Sequence, residues 1–315
     1  MHYFITGGCG FVGSNMGNFL LSLGHQVTVF DNFSSGFKRF LNNNLKLKII
    51  KGDLLDTKCL MESLTEEIDF VYHFSANADV RFGFQNPKKD LEQNTIATFN
   101  LLETMRIRGI KRIGFSSTGS VYGEANIYPT PEDAPFPIQT SLYGASKIAC
   151  EGLISSYCEG FEFKAYIYRF VSLLGEHYTH GHVFDFTKSL LENSSKLKVL
   201  GDGNQKKSYL NIKDCVKAMH LTEKKNINKV DIYNIGNLEY ITVKDSIKYI
   251  TQQMNKCPEI FYQGGIRGWI GDSPRIQLDN KKIKLLGWIP QFSIEESVKE
   301  TVIWLLRNKW VFDKR

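Results

Sequence analysis

The chain has 315 residues, enough to bury a large core in one elaborate domain or two ordinary ones. Its 42% hydrophobic and 23% charged residues are those of a soluble globular protein, and no apolar run reaches the length needed to cross a bilayer, so no membrane partner is expected. The net charge of +6, from 39 basic and 33 acidic residues, is scattered rather than gathered into a basic stripe with exposed aromatics, so no nucleic-acid partner is expected either.

Met1 and His2 alone precede the first strand, which leaves no room for a signal peptide. The six cysteines show no CxxC pair and no metal spacing, the pattern of reduced thiols in a cytoplasmic protein. Tyr3-Phe4-Ile5-Thr6 reads as a strand that runs into Gly7, Gly10 and Gly13, spaced GxxGxxG, with Phe11 and Val12 opening a helix. Val27 to Phe30 reads as a second strand ending at Asp31 and Asn32. Strand, glycine turn, helix, strand and acid form the geometry a dinucleotide needs: the glycines let backbone approach the pyrophosphate, and a helix N-terminus faces its charge. An acid at position 31 holds a ribose 2′-hydroxyl and repels a 2′-phosphate, which points to NAD rather than NADP.

Further strands are predicted at Leu47–Ile50, leading to Asp53-Leu54, and at Phe70–Phe74, leading to Ser75-Ala76. A helix from about Leu91 to Arg108 carries Asn94, and strands follow at Arg112–Ser117 and Ala165–Phe170. Strands alternating with helices predict a Rossmann-like α/β fold, a doubly wound parallel sheet with ligands outside its carboxyl ends. The expected dinucleotide-binding domain is 1–170, with roughly 208–238 returning to it, and the smaller interleaved substrate lobe is 171–207 and 239–315. In that lobe a polar loop is predicted from Gly175 to Asp185, then helices near 185–193, 243–255 and 294–308 and a strand near 197–200, while 231–236 reads as another strand of the main sheet.

Tyr143-Gly144-Ala145-Ser146-Lys147 places a phenol and an ammonium on one helical face, where the ammonium favours the phenolate that a general base needs. Ser116 to Gly123 is rich in hydroxyls at a strand tip, and Thr118 is the hydroxyl chosen to bridge a substrate hydroxyl to Tyr143. His177, His180 and His182 with Asp185 invite a metal reading, but they sit in an irregular loop, where loop or substrate contacts are expected and no metal is.

These motifs resemble the extended short-chain dehydrogenase/reductases that remodel nucleotide-sugars, above all the nucleotide-sugar 4-epimerases, over nearly the whole chain. The likeness rests on GGCGFVGSN, Asp31, Gly52-Asp53-Leu54, His73-Phe74-Ser75-Ala76, Asn94, SSTGSVYG, YGASK, GDGNQ and LGWIP. It implies NAD held by Gly7, Gly10, Phe11, Val12, Gly13, Asp31, Asn32, Asp53, Leu54, Phe74, Ser75, Ala76, Asn94, Ser116, Tyr143, Lys147 and Phe170. It also implies a Thr118, Tyr143, Lys147 catalytic set and a homodimer formed through the helices near 91–108 and 145–158. For the nucleotide-diphosphate sugar it implies contacts from Arg81, Thr118, Ser172, His182, Val183, Lys207 and Tyr209.

The substrate end departs from the family pattern. Ser172 replaces an Asn, Lys207 and Trp269 stand in Arg slots, and Arg267 or Arg275 is left to take the diphosphate. Relatives that eliminate water or decarboxylate carry acids just after the hydroxyl at 118, where this chain has Gly119 and Ser120. What remains is hydride chemistry alone, hence C4 epimerisation. The alternatives are an NAD-dependent 4-keto reductase or dehydrogenase and a non-catalytic protein that binds NAD or nucleotide-sugar.

Overall fold

The computed structural model describes residues 1–77, 83–136, 138–225, 228–265 and 275–314. The apolar runs of the first half become parallel strands β1 (His2–Thr6), β2 (Gln26–Asp31), β3 (Leu47–Lys51), β4 (Phe70–His73), β5 (Arg112–Thr118) and β6 (Lys164–Phe170). Most are apolar at consecutive positions because helices cover both faces of the sheet. Helices α1 (Phe11–Ser22), α2 (Thr57–Ser63), α3 (Pro87–Asp90), α4 (Ala97–Ile107) and α5 (Leu142–Phe161) make the crossovers.

The sheet order is β3-β2-β1-β4-β5-β6-β11, with β11 at Val230–Ile235, so the order reverses between β1 and β4. That switch point opens a crevice between the loops after β1 and β4. The glycines hold it open. Gly7 has φ +64°, and a Cβ there would lie 2.8 Å from the Ser75 nitrogen; one on Gly13 would lie 2.3 Å from the Gly7 carbonyl oxygen. Local caps set the other helices: the Asp56 carboxylate accepts from the Cys59 N–H at the start of α2, and the Ser141 hydroxyl accepts from the Gly144 N–H at the start of α5.

Beyond β6 the chain forms β7 (Ser172–Leu174), α6 (His182–Glu192), β8 (Lys196–Val199), β9 (Lys206–Lys207), β10 (Tyr209–Asn211) and α7 (Ile212–Glu223). After β11 come β12 (Ile241–Thr242), α8 (Val243–Met254), β13 (Glu259–Tyr262), β14 (Arg275–Ile276), α9 (Lys281–Lys284) and α10 (Ile294–Arg307). Capping boxes start α8 (Thr242 with Asp245) and α10 (Ser293 with Glu296). Leu174, Val183, Val199, Ile247 and Val298 anchor a core of their own in this region, and β9 pairs with β12 and β14.

Three differences from the sequence reading matter. The helix expected over 91–108 opens with a π-helical turn at Leu91–Ile96 before α4, and α3 leads into it. In that turn the Asn94 side chain points inward, accepting from the Asn77 N–H at 2.7 Å and donating to Ser146 Oγ at 2.8 Å. α6 begins at His182, three residues before the predicted start, so His182 lies on a helix rather than in a loop. Helices α2 and α7 went unread, α2 because it is only seven residues long and α7 because polar residues interrupt its apolar period.

Candidate active site

A cleft of about 890 Å³ runs along the carboxyl ends of the strands. Gly7, Gly10, Phe11, Val12 and Gly13 line it from the first turn and α1, whose N-terminus carries no side-chain cap and so presents its N–H groups. At the tip of β2 the two Asp31 oxygens accept from the Cys9 and Phe33 N–H groups, each at 2.8 Å. Burial holds this carboxyl above its ordinary range despite those bonds. Asn32 donates to Asp53 Oδ2 at 2.9 Å, joining the tips of β2 and β3, and Leu54 completes that end of the cleft. Phe74, Ser75 and Ala76 form the opposing wall, and Phe170 lies at the tip of β6.

This wall suits NAD on its geometry: a cradle that any Cβ would fill, an uncapped helix N-terminus for a pyrophosphate, and an oriented carboxylate for a ribose.

The Tyr143 ring lines the cleft, and Lys147 Nζ lies 5.9 Å from its centroid. Lys147 is 1% exposed and sits behind the wall, where its ammonium donates to the Ser116 carbonyl at 2.9 Å and lies 4.6 Å from the Phe115 ring centroid. Burial brings its pKa down to about 8, against the pull of Cys150, Glu151 and Asp90. Burial and the Asp90 charge raise the Tyr143 phenol, while the neighbouring Thr118 hydroxyl lowers it. Thr118 lines the cleft, and its hydroxyl donates to Ser120 Oγ at 3.2 Å and accepts from the Ser120 N–H at 3.1 Å. Gly119 has little room for a side chain: a Cβ there would lie 3.2 Å from the Phe170 carbonyl oxygen and 3.3 Å from Ile276 Cγ2.

Asn94 and Ser116, both expected at the cofactor, stand behind the wall with Lys147: the Ser116 hydroxyl donates to the His73 carbonyl, and its own carbonyl receives the lysine. Of the expected substrate contacts, Thr118, Ser172, His182, Lys207 and Tyr209 line the cleft. The Val183 side chain does not, because it is fully buried in the apolar core. Arg275 is turned aside as well; its guanidinium lies 4.2 Å from the Tyr128 ring centroid and donates to Gln277 at 2.9 Å. Arg81 and Arg267 fall outside the described residues.

The three histidines diverge. His177 stacks on Phe40 and bonds Ser14 Oγ, His180 stacks on Tyr178, and His182 bonds Ser246 Oγ at 2.7 Å. Burial lowers His177 and His182 to about 4, which keeps both neutral. Among the described residues no three His, Cys, Asp or Glu side chains form a metal-binding group. Ser34, Ser35, Lys89, Lys198 and Leu200 also line the cleft; they lie in loops and short elements with no motif to mark them.

The fold and site define a dinucleotide-binding enzyme of the doubly wound α/β class, with Tyr143 lining its cleft and Lys147 buried behind it. The model of the NAD dependent epimerase/dehydratase family matches residues 3–236, and the chain belongs to that family. It is 33% identical to a putative UDP-glucose 4-epimerase of Methanocaldococcus jannaschii, over 96% of this chain and 98% of that protein. A crystal structure of a UDP-galactose 4-epimerase superposes with a TM-score of 0.89 at 32% identity, covering 98% of this chain and all of the other. The UDP-glucose 4-epimerase of Thermotoga maritima, solved with UDP-glucose, gives a TM-score of 0.88 at 30% identity, with 98% and 100% covered. Among the described residues no helix is long and apolar enough to cross a membrane.

Proposed function

We propose that this chain inverts C4 of a nucleotide-diphosphate sugar by transient oxidation to the 4-keto sugar. The observation that carries the reading is that Thr118 at the tip of β5 and Tyr143 on α5 line one cleft with the Lys147 ammonium 5.9 Å from the Tyr143 ring centroid, while Gly119 and Ser120 stand where a dehydratase needs an acid and a base. NAD, when bound, supplies the acceptor for the C4 hydride and returns it. The chain itself moves the proton. The Tyr143 phenolate takes the proton of the 4-hydroxyl, directly or through Thr118, and gives it back when the carbonyl is reduced. The buried Lys147 ammonium favours the phenolate by charge. Lys207 faces the diphosphate, about which the keto sugar swings to present its other face. A side chain at position 119 would crowd the Phe170 carbonyl oxygen and Ile276, and the glycine there carries no carboxylate to expel water.

Two copies pair through α4 and α5 in this reading. Leu91, Ile96 and Phe99 are exposed apolar side chains on the π-turn and α4, and Gly152 on α5 has nothing near the place a Cβ would occupy.

The test is incubation of the purified protein with UDP-, dTDP-, GDP- and CDP-sugars, followed by NMR. A C4 stereoisomer formed without added cofactor supports the proposal. A product that has lost water, or no product from any sugar, overturns it.

A further inference from the structure

Gln205 is 5% exposed and lines the cleft, yet neither its Oε1 nor its Nε2 has a hydrogen-bond partner. Its side chain is not needed to hold the turn it sits in. The Gly264 N–H donates to the Gly201 carbonyl and the Lys244 N–H to the Gly203 carbonyl, both at 3.1 Å, while Asn204 bonds Asp202. Gln205 joins this scaffold through its main-chain carbonyl, which accepts from the Val243 N–H at 3.3 Å. The turn also makes room for the orphaned amide: Gly201 has φ +74°, and a Cβ there would lie 2.0 Å from Gln205 Nε2. An amide stripped of water and left unpaired is destabilising, and native proteins rarely keep one without a use.

Its place in the cleft indicates what pairs with it. The dinucleotide end, at Asp31 and Asp53, lies at the tips of β2 and β3 on one side of the sheet. Gln205 precedes β9, which pairs with β14, and Ile276 of β14 packs beside Gly119 at the tip of β5, on the other side. Lys198 and Lys207 line the same end, with the half-exposed Leu200 offering an apolar face. We propose that Gln205 grips the hydrogen-bonding edge of the substrate's nucleobase at this end of the cleft. The inference rests on the nucleotide-sugar reading of the site.

A primary amide presents N–H and C=O side by side. Nucleobases present a donor next to an acceptor on one edge, and rotation of the amide serves either order. The N-acetyl group of an amino sugar, a trans secondary amide, points its N–H and C=O in opposite directions and cannot be held by both atoms of one glutamine.

The probes are UDP and inorganic pyrophosphate, titrated by calorimetry into the full chain and into Gln205→Leu and Gln205→Glu. Both variants are expected to bind UDP about ten- to hundredfold more weakly, with pyrophosphate affinity and NAD content unchanged. Gln205→Leu is also expected to melt no lower than the parent without nucleotide, because it removes two unpaired polar atoms. Unchanged UDP affinity in both variants overturns the proposal. So does an equal loss for UDP and pyrophosphate, a lowered melting point with lost NAD in both variants, or a parent chain that does not bind UDP. If the parent binds UDP and the variants lose it while no nucleotide-sugar is isomerised, the epimerase reading fails and the role of Gln205 stands.

Discussion

Replacing Lys147 with methionine separates stability from catalysis in a way that depends on pH. The ammonium is 1% exposed, and burial takes it from an ordinary 10.5 to about 8. At about 1.4 kcal/mol per pKa decade, the charged form costs the fold about 3 kcal/mol. Between about 8 and 10.5 the unfolded chain holds a proton that the folded chain has released, so stability rises with pH across that window. Below about 8 both states are protonated and the cost is complete. Lys147→Met removes this cost and gives up the bond to the Ser116 carbonyl, worth about 1 kcal/mol.

The NAD-stripped variant should therefore be more stable than the parent by about 2 kcal/mol at pH 7, or about 4 °C in melting midpoint. The difference should shrink as the pH approaches 10, while the variant loses its activity. Differential scanning calorimetry of both proteins from pH 7 to 10 measures it. A variant that is less stable by the same amount at every pH would show that the ammonium is well compensated where it lies, and the argument from burial would be wrong.

Tyr143→Phe should lower turnover by about 10²- to 10⁴-fold, as expected on loss of a general base, while keeping its bound NAD; rate assays with NAD quantified in parallel test this. Gly13→Ala drives a methyl to 2.3 Å from the Gly7 carbonyl oxygen, so the variant should purify without NAD and melt lower. Because burial raises Asp31, NAD retention should begin to fail on acidification above the usual carboxylate range, and Asp31→Asn should lack that pH step when retention is followed by fluorescence. Phe99→Glu charges the exposed face of α4, and light scattering should find monomers where the parent forms dimers; a monomeric parent rules out the pairing.

The most legible parts of the sequence were those where the backbone itself carries the chemistry. Gly7, Gly10, Gly13 and Asp31 could be read directly, because a glycine-lined crevice beside a helix start followed by an acid leaves few other uses for those residues. The strand runs were equally plain, since most strands covered on both faces are apolar at consecutive positions. The helix around Asn94 was legible but its opening π-turn was not, because Asn94 turns inward to partners outside its own turn, Asn77 and Ser146, which no local period records.

The substrate end shows the same division. Ser172, His182, Lys207 and Tyr209 reach the cleft, but Val183 turns into the core and Arg275 toward Tyr128, a choice made by packing between elements far apart in sequence. The one-dimensional pattern thus determined the fold class and the cofactor, because local spacing and backbone sterics suffice for each. Tertiary structure alone decided that Lys147 is buried, that Gly119 has little room for an acid, and that Gln205 faces the cleft unpaired. Burial and vacant hydrogen bonds are properties of what surrounds a side chain, and the surroundings assemble only when distant segments meet.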